Sequence, residues 1–356
     1  MRTDIIPELR GRFEAFGIDG LLVNKPENIR YISGFTGSNG YVILTPFHTI
    51  LATDFRYVEQ ANSEVPDLFS VRKIEGPVSQ WFPALIHDTG VNVLGIEAGF
   101  ITVAEFDRFK CALENSSSSA TLIPLNDTVE DFRASKRINE ILRIESAARL
   151  TCEALSQVSE QYMRPGISEK KLAWELEKYI REAGGELAFP VIVAGGPASA
   201  LPHATPSDRP LQPHEPLVID LGAKLNGYCG DLTRTFWLGD LDQRFMKLYN
   251  IVLQAQQIAI GGIESGMSAT SADRLARECI TSAGYGECFG HSLGHGIGLE
   301  VHEKPTIGPN STGILNDGMV FTLEPGIYVT GWGGIRIEDD VVLENGRVKV
   351  LTHFPK

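Results

Sequence analysis

The strongest constraint on the fold is an internal repeat, spaced by 100 residues, in the second part of the sequence. The matching pairs are Gly166 and Gly266, Ser168 and Ser268, Ala183 and Ala283, Gly184 and Gly284, and Phe189 and Phe289. Each copy shows a helix pattern, a glycine turn, a second helix, a glycine stop and later two strands that carry two acids. Chance identity among common residues is the alternative, but the shared order of elements favours a duplication. Two such halves around a pseudo-twofold axis would bring their acidic strands face to face.

The acidic strands of the first copy are predicted to form a hairpin around Asn226-Gly227, a dipeptide typical of two-residue turns. With these residues as the loop, residue 220 pairs with residue 233, and residue 231 lies two positions further along that strand. Because side chains alternate between the faces of a strand, Asp220 and Asp231 are expected to be neighbours on one face. Two unpaired carboxylates on an apolar hairpin are costly, so we expect a metal ion between them.

The second copy adds Glu324 in FTLEPGIY and Glu338 in GIRIEDD, and the segment GHSLGHGIG before them carries His295. Two like charges about 4 Å apart repel by roughly 4 kcal/mol at an effective dielectric constant of 20, so gathered carboxylates need cations. We therefore predict that these residues converge, with the two aspartates, on a pair of divalent metal ions. The donor set favours Mn²⁺ and is compatible with Co²⁺, Fe²⁺ or Zn²⁺. Paired ions that share a hydroxide and polarise a carbonyl make amide hydrolysis the expected chemistry.

The length of 356 residues suggests two domains. Residues 1–130 alternate between helix and strand patterns, which predicts an α/β domain with a mixed sheet. Its strands are predicted at 19–23, 40–44, 48–54, 68–74 and 93–97. Residues 131–356, which contain the repeat, are expected to form a separate α+β catalytic domain.

Charge and composition narrow the class of protein. The net charge is -13 and the isoelectric point is about 5.1, which argues against nucleic acid as a partner. No run approaches the length of a membrane span, and the N-terminus lacks the apolar core of a signal peptide. The five cysteines have no CxxC spacing, which is typical of a reducing compartment. We therefore expect a cytoplasmic protein without a membrane partner.

With these motifs in place, the sequence resembles the pita-bread metallopeptidases, and among them the Xaa-Pro peptidases, prolidase and aminopeptidase P. The resemblance covers nearly the whole chain. In the catalytic part it rests on VIDLGA, GDLTRTF, GHSLGHGIGLEVHE, FTLEPGIY and GIRIEDD. In the first domain it rests on YISGFTGSNGYVIL and TDFRYVEQA, which look like the creatinase/prolidase N-terminal domain.

The resemblance implies a role for each predicted metal ligand. Asp220 would hold one ion, and Asp231 and Glu338 would bridge both ions. His295 and Glu324 would complete the second ion's ligands. Glu324 would also act as general base and take the proton of the attacking water.

The resemblance also implies contacts to the substrate. His203 and His302 would bind the substrate or the tetrahedral intermediate and move a proton, the alternative being structural histidines. Arg336 would orient acidic ligands or meet the substrate's carboxylate, or it would form a purely structural ion pair. His291 would contact the substrate or brace the glycine-rich segment, and Tyr328 would add a polar contact.

The implied activity is two-metal hydrolysis of the Xaa-Pro bond in short proline-containing peptides by a homodimer. The chain length slightly favours a prolidase-type dipeptidase over aminopeptidase P-type release of the N-terminal residue. A metal-free amidinohydrolase like creatinase and a non-catalytic binding protein on the same fold are further alternatives. The complete set of five predicted ligands disfavours both of these alternatives.

Overall fold

The computed structural model describes residues 2–116 and 118–356. The chain divides into two compact units, Met1–Arg133 and Ala134–Lys356. The helices of the first unit are α1 (Ile6–Gly11), α2 (Phe13–Phe16), α3 (Pro26–Ser33), α4 (Val58–Glu64), α5 (Val78–Thr89), α6 (Val103–Glu114) and α7 (Glu130–Ala134), the last of which runs one residue into the second unit. Its strands are β1 (Gly20–Val23), β2 (Tyr41–Leu44), β3 (Thr49–Thr53), β4 (Ser70–Lys73), β5 (Val93–Glu97) and β6 (Thr121–Leu125).

The six strands of the first unit form one sheet in the order β4-β3-β2-β1-β5-β6. Strand β2 pairs antiparallel with β1 and β3, whereas β1–β5, β3–β4 and β5–β6 are parallel, which confirms the predicted mixed sheet. Each of the five predicted strands is present. The sixth, β6, escaped prediction because it is a partly exposed edge strand that includes Pro124, a residue typical of sheet edges.

The helices of the second unit form two consecutive pairs, α8 (Ile138–Tyr162) with α9 (Glu169–Glu182) and α10 (Gln243–Gly262) with α11 (Ala269–Ser282). The second helix of each pair has 14 residues. Ser168 and Ser268 cap these helices at their N-termini, since each side chain accepts a hydrogen bond from the backbone N–H three residues later. Gly184 and Gly284 follow them with φ of 84° and 89°. The predicted duplication is therefore confirmed.

The strands of the second unit form several small sheets around these helix pairs. They are β7 (Glu186–Leu187), β8 (Ile192–Gly195), β9 (Pro216–Leu221), β10 (Ala223–Leu225), β11 (Tyr228–Cys229), β12 (Leu232–Trp237), β13 (Gly294–Gly296), β14 (Glu303–Ile307), β15 (Val320–Leu323), β16 (Gly326–Val329), β17 (Gly333–Arg336), β18 (Asp339–Glu344) and β19 (Arg347–Val350). The two sheets that matter for the site have the orders β12-β9-β8 and β14-β13-β15-β18-β19. One belongs to each copy of the repeat.

The predicted register of the first acidic hairpin is confirmed. Asp220 pairs with Thr233, and Leu225 pairs with Tyr228 across the turn. Asn226 and Gly227 form the two-residue turn with φ of 51° and 85°. In the second copy, Glu324 follows β15 and Glu338 precedes β18, with the β16–β17 hairpin between them.

Each helix pair buries the inner face of its own strands. In the first copy, Leu172, Leu176 and Ile180 of α9 join a core with Ile219 of β9 and Leu232 of β12. In the second copy, α10 and α11 join a core with β15 and β18. The acidic residues thus lie on strands that the hydrophobic cores hold in place. None of the helices in residues 2–116 and 118–356 is both long and apolar enough to cross a bilayer.

Helix α8 packs closely against the first hairpin at Gly230, and this close packing allows a test of the fold. A Cβ atom on Gly230 would lie 2.5 Å from the backbone nitrogen of Ala148. We expect Gly230→Ala to lower the free energy of unfolding by about 1–3 kcal/mol, because backbone cannot yield as a side chain does. Urea unfolding measures the change. The control Gly261→Ala, in α10 with no atom within 4 Å, should leave stability unchanged or raise it by up to about 1 kcal/mol.

Candidate metal centre

Three of the predicted ligands form a cluster that could hold a metal ion. One ligand atom from each of Asp231, His295 and Glu338 lies within 4.8 Å of the others. Asp231 directly precedes β12, His295 is the central residue of β13, and Glu338 directly precedes β18. The cluster therefore joins the acidic hairpin of the first copy to the sheet of the second.

The remaining two predicted ligands border this cluster. The carboxylate of Glu324 lies 3.4 Å from His295 Nε2 and accepts a hydrogen bond from the Thr322 hydroxyl. Asp220 projects from β9, where its Oδ2 accepts a 2.6 Å hydrogen bond from Arg336. All five predicted residues thus lie in one region, although their roles as ligands stay predictions.

The acidic residues of the region contain buried acceptors that lack a donor. Asp220 Oδ1 and Asp231 Oδ1 have no hydrogen-bond partner among the described residues. An unsatisfied buried carboxylate oxygen is costly. A bound cation would satisfy both oxygens, so the donor set fits divalent metal ions.

Burial and mutual repulsion oppose ionisation of these carboxylates in the absence of metal. Burial, reinforced by neighbouring carboxylates, raises the pKa of Asp231 and of Glu338 well above the ordinary range. Burial raises the pKa of Glu324 to about 8, although the charge of Arg336 opposes the rise. Divalent cations would reverse this preference.

The imidazole of His295 is prepared to act as a ligand. Burial lowers its pKa to about 4, so the ring is neutral at pH 7. Its Nδ1 lies 3.2 Å from the Gly296 carbonyl, to which an Nδ1–H would donate. The lone pair is then on Nε2, the atom that faces Asp231 and Glu324.

Close packing requires glycine on either side of His295, at positions 294 and 296. A Cβ on Gly294 would collide with the Thr322 carbonyl, and a Cβ on Gly296 would collide with the Lys304 carbonyl. Both neighbours are backbone atoms on adjacent strands. Glycine at these positions lets β13 insert between β14 and β15 with the imidazole at its centre.

Three of the predicted substrate contacts form one hydrogen-bonded chain. Arg336 Nη1 donates to the Tyr328 hydroxyl at 2.8 Å, and this hydroxyl lies 2.9 Å from His291 Nε2. Because the Ser292 carbonyl can only accept, His291 Nδ1 carries the ring proton and donates to it at 2.8 Å. Nε2 of the neutral ring is then an acceptor, so the Tyr328 hydroxyl donates a hydrogen bond to it. Burial lowers the pKa of His291 to about 4, which agrees with this neutral tautomer.

The two other predicted histidines border the same region. The rings of His302 and His295 meet edge to face, with centroids 4.3 Å apart. Burial, and then the charge of His203, lowers the pKa of His302. His203 is exposed, and the carbonyl of its neighbour Pro202 lies 3.5 Å from Arg336 Nη1.

Sequence reasoning missed two side chains that hold the predicted ligands. The Thr233 hydroxyl donates to Glu338 at 2.5 Å and accepts from Arg336 Nε at 3.0 Å. Asp340 accepts a 2.8 Å hydrogen bond from the backbone N–H of Asp231. Thr233 could have been found, because it lies two positions after Asp231 and therefore shares its strand face. Asp340 could not, because its partner is 109 residues away.

Comparison with known proteins identifies the class. Residues 143–345 match metallopeptidase family M24, and residues 6–135 match the creatinase/prolidase N-terminal domain. The chain belongs to metallopeptidase family M24, with the pita-bread fold. The resemblance, the fold class and the enzyme class predicted from the sequence are confirmed.

Proteins named as Xaa-Pro dipeptidases and as an X-Pro aminopeptidase are similar to this chain over most of its length. It is 35% identical to the Xaa-Pro dipeptidase of Pyrococcus horikoshii, over 94% of this chain and 93% of the relative. The structure of the Xaa-Pro dipeptidase from Bacillus anthracis superposes with a TM-score of 0.95 and 37% identity, over 100% of this chain and 99% of that one. The structure of the X-Pro aminopeptidase from Thermotoga maritima has a TM-score of 0.86 and 37% identity, over 97% and 98% of the two chains.

The raised pKa values predict how the metal-free protein responds to pH. Between about pH 7 and 8, the folded chain keeps carboxyl protons that the unfolded chain has lost, while unfolded histidines are already mostly neutral. Stability should therefore fall as pH rises through this window. Thermal unfolding in a chelator measures the fall.

Saturating Mn²⁺ is the control for this pH dependence. The ions should remove most of it, because they replace the protons as partners of the carboxylates. A melting temperature of the metal-free protein that is constant or rises from pH 7 to 8 would contradict the expectation.

Proposed function

We propose that this protein hydrolyses the Xaa-Pro bond of short peptides with two divalent metal ions. The observation that carries the proposal is the convergence of Asp231, His295 and Glu338, from three separate segments, beside Glu324 and Asp220. Relatives named Xaa-Pro dipeptidase and X-Pro aminopeptidase, similar over nearly the whole chain, support the peptide bond assigned.

The five residues would divide between the two ions as follows. Asp231 and Glu338 would contact both ions, Asp220 would hold one, and His295 with Glu324 would hold the other. When bound, the ions would polarise the peptide carbonyl and lower the pKa of water. We propose Mn²⁺ as the native ion, because the set contains four carboxylates and one imidazole.

Glu324 is proposed to take the proton of the attacking water. Burial raises its pKa to about 8 in the metal-free protein, and metal binding would displace that proton and leave a carboxylate that can accept one from water. The Thr322 hydroxyl donates to one of its oxygens and restricts its orientation. Its other oxygen lies 3.9 Å from His291 Nδ1.

The remaining polar residues are proposed to act around the substrate. His203 and His302, both exposed, would hydrogen-bond the substrate or the tetrahedral intermediate. Arg336 is only 3% exposed, and it already donates to Asp220, Tyr328 and Thr233. These contacts favour a role in orienting the acidic ligands over contact with the substrate's carboxylate. His291 would brace Tyr328 in the same way.

We propose the dipeptidase as the first candidate and the aminopeptidase as the second. The TM-score of 0.95 with a dipeptidase, against 0.86 with an aminopeptidase, supports this order, whereas the identities of 37% are equal. The homodimer, the cytoplasmic location and the exclusion of nucleic acid stay predictions from the sequence.

The general base can be tested by substitution. With Mn²⁺ bound, we expect Glu324→Ala to lower kcat for an Xaa-Pro dipeptide by at least about 10²-fold, because proton transfer from water is lost. Steady-state kinetics with released proline as the signal measures the loss. Glu278→Gln, at an exposed position of α11, is the control and should retain full activity. Wild-type kinetics in Glu324→Ala would refute the assigned role.

Substrate length can be tested with matched peptides. The metal-loaded protein should cleave Ala-Pro with a higher kcat/KM than Ala-Pro-Ala, and it should leave Ala-Ala intact. A preference for Ala-Pro-Ala would favour the aminopeptidase. Absence of turnover of both proline peptides, in protein shown to bind Mn²⁺, would contradict the proposed function.

A further inference from the structure

Arg234 is a fully buried arginine whose every donor has an acceptor. Its side chain is 1% exposed, although it projects from β12, three positions after Asp231. Arginine has five N–H donors. They reach the carbonyls of Thr233, Glu338, Phe354 and Pro355 and the carboxylate of Asp339, at distances from 2.5 to 3.0 Å. One side chain thus ties together the strand after Asp231, the backbone of Glu338 and the segment Leu351–Lys356.

Asp339 is the acidic residue that binds Arg234 and the segment Leu351–Lys356. It is 0% exposed and directly follows Glu338. Its Oδ1 accepts from Arg234 at 2.7 Å and from the Thr352 hydroxyl at 2.8 Å. Its Oδ2 lies 2.6 Å from the ammonium of Lys356. A buried carboxylate with two cations and a hydroxyl as partners is firmly held.

Gln256 connects this network to the segment that carries Glu324. It is 0% exposed on α10, and its amide nitrogen lies 3.1 Å from Asp339 Oδ2. The same nitrogen lies 3.0 Å from the Leu323 carbonyl and 3.2 Å from the Ile337 carbonyl. These two carbonyls belong to the residues directly before Glu324 and Glu338.

We propose that Arg234, Gln256, Asp339 and Lys356, together called the latch, set the spacing of the acidic segments and thereby the affinity for metal. The inference rests on the proposed function only in taking Asp231, Glu324 and Glu338 as metal ligands. Within residues 2–116 and 118–356, no hydrogen bond or ion pair joins a latch side chain to the carboxylate of any of these three residues. All four are therefore positioning residues that act through the backbone.

The latch acts where ligand atoms from separate segments must stay close together. One ligand atom from each of Asp231, His295 and Glu338 lies within 4.8 Å of the others, so the spacing of these segments decides whether the atoms can meet at one ion. Arg234 and Lys356 bring two positive charges against the single negative charge of Asp339. The hydrogen bonds of Arg234 and Gln256 to backbone carbonyls hold the segments together without occupying the ligand oxygens.

Two substitutions test the latch. Asp339→Asn removes the charge and places an amide N–H₂ against the donors Lys356 and Gln256. Lys356→Met keeps the length of a side chain that is 25% exposed, so it should fold even where Asp339→Asn does not. Calorimetric titration of metal-free protein with Mn²⁺ measures affinity without substrate. We expect binding about tenfold weaker in Asp339→Asn and a smaller loss in Lys356→Met.

Glu169→Gln is the matched control. Glu169 is 1% exposed and accepts from the backbone of Gly195 and Ser207 and from the Ser207 hydroxyl. The substitution therefore removes a carboxylate that is as buried as that of Asp339. The hydrogen-bond partners of Glu169 lie on segments that carry none of the five predicted ligands. Its melting temperature should fall while its Mn²⁺ affinity stays at the wild-type value.

The outcomes separate the latch from the proposed function. Weaker Mn²⁺ binding in folded latch variants, with wild-type binding in Glu169→Gln, supports the latch even if no proline peptide is cleaved. Wild-type affinity in Lys356→Met and in any folded Asp339→Asn would overturn it, as would an equal loss in the control. A wild-type protein that binds no Mn²⁺ would overturn both proposals.

Discussion

The cost of ionising carboxylates that are buried side by side is the constraint on which the catalytic unit depends. Asp231 and Glu338 are almost completely buried, and Asp340 lies directly beside them with a pKa that burial also raises. The protein supplies two buried arginines against this charge. Arg336 binds Asp220 directly, and Arg234 binds the backbone of the segment that carries Glu338. Divalent cations would supply the remaining compensation.

The duplicated scaffold explains how such unfavourable neighbours come together. Each copy buries its own strands under its own helix pair, so each half is stabilised independently of the acids. Asp220 and Asp231 come from the first copy, and Glu324 and Glu338 come from the second. Neither copy contains the whole predicted set. The hydrophobic cores therefore fix the acids in place, and the site exists only where the two halves meet.

The hydrogen bonds of the polar residues around the acids favour a role in orienting the acids over direct contact with the substrate. The chain Arg336–Tyr328–His291 uses donors and acceptors that sequence reasoning assigned to the substrate. Thr233 joins this chain to Glu338. Membership in metallopeptidase family M24 accounts for the chemistry of such a site, whereas the length of the accepted peptide depends on features beyond the acids. Relatives with equal identity carry both names, dipeptidase and aminopeptidase.

The sequence by itself determined the features that depend on neighbours along the chain. The turn at Asn226-Gly227 sets the pairing of Asp220 with Thr233, and Ser168 and Ser268 cap their helices, because turn and cap chemistry is local. The gathering of acids was also predicted from the sequence, because the repeat places the acidic strands of its two copies face to face. Only the tertiary structure decided what holds them. Arg234 meets Pro355 121 residues away, and Asp231 meets Asp340 109 residues away, because packing of separate segments creates contacts that no local period encodes.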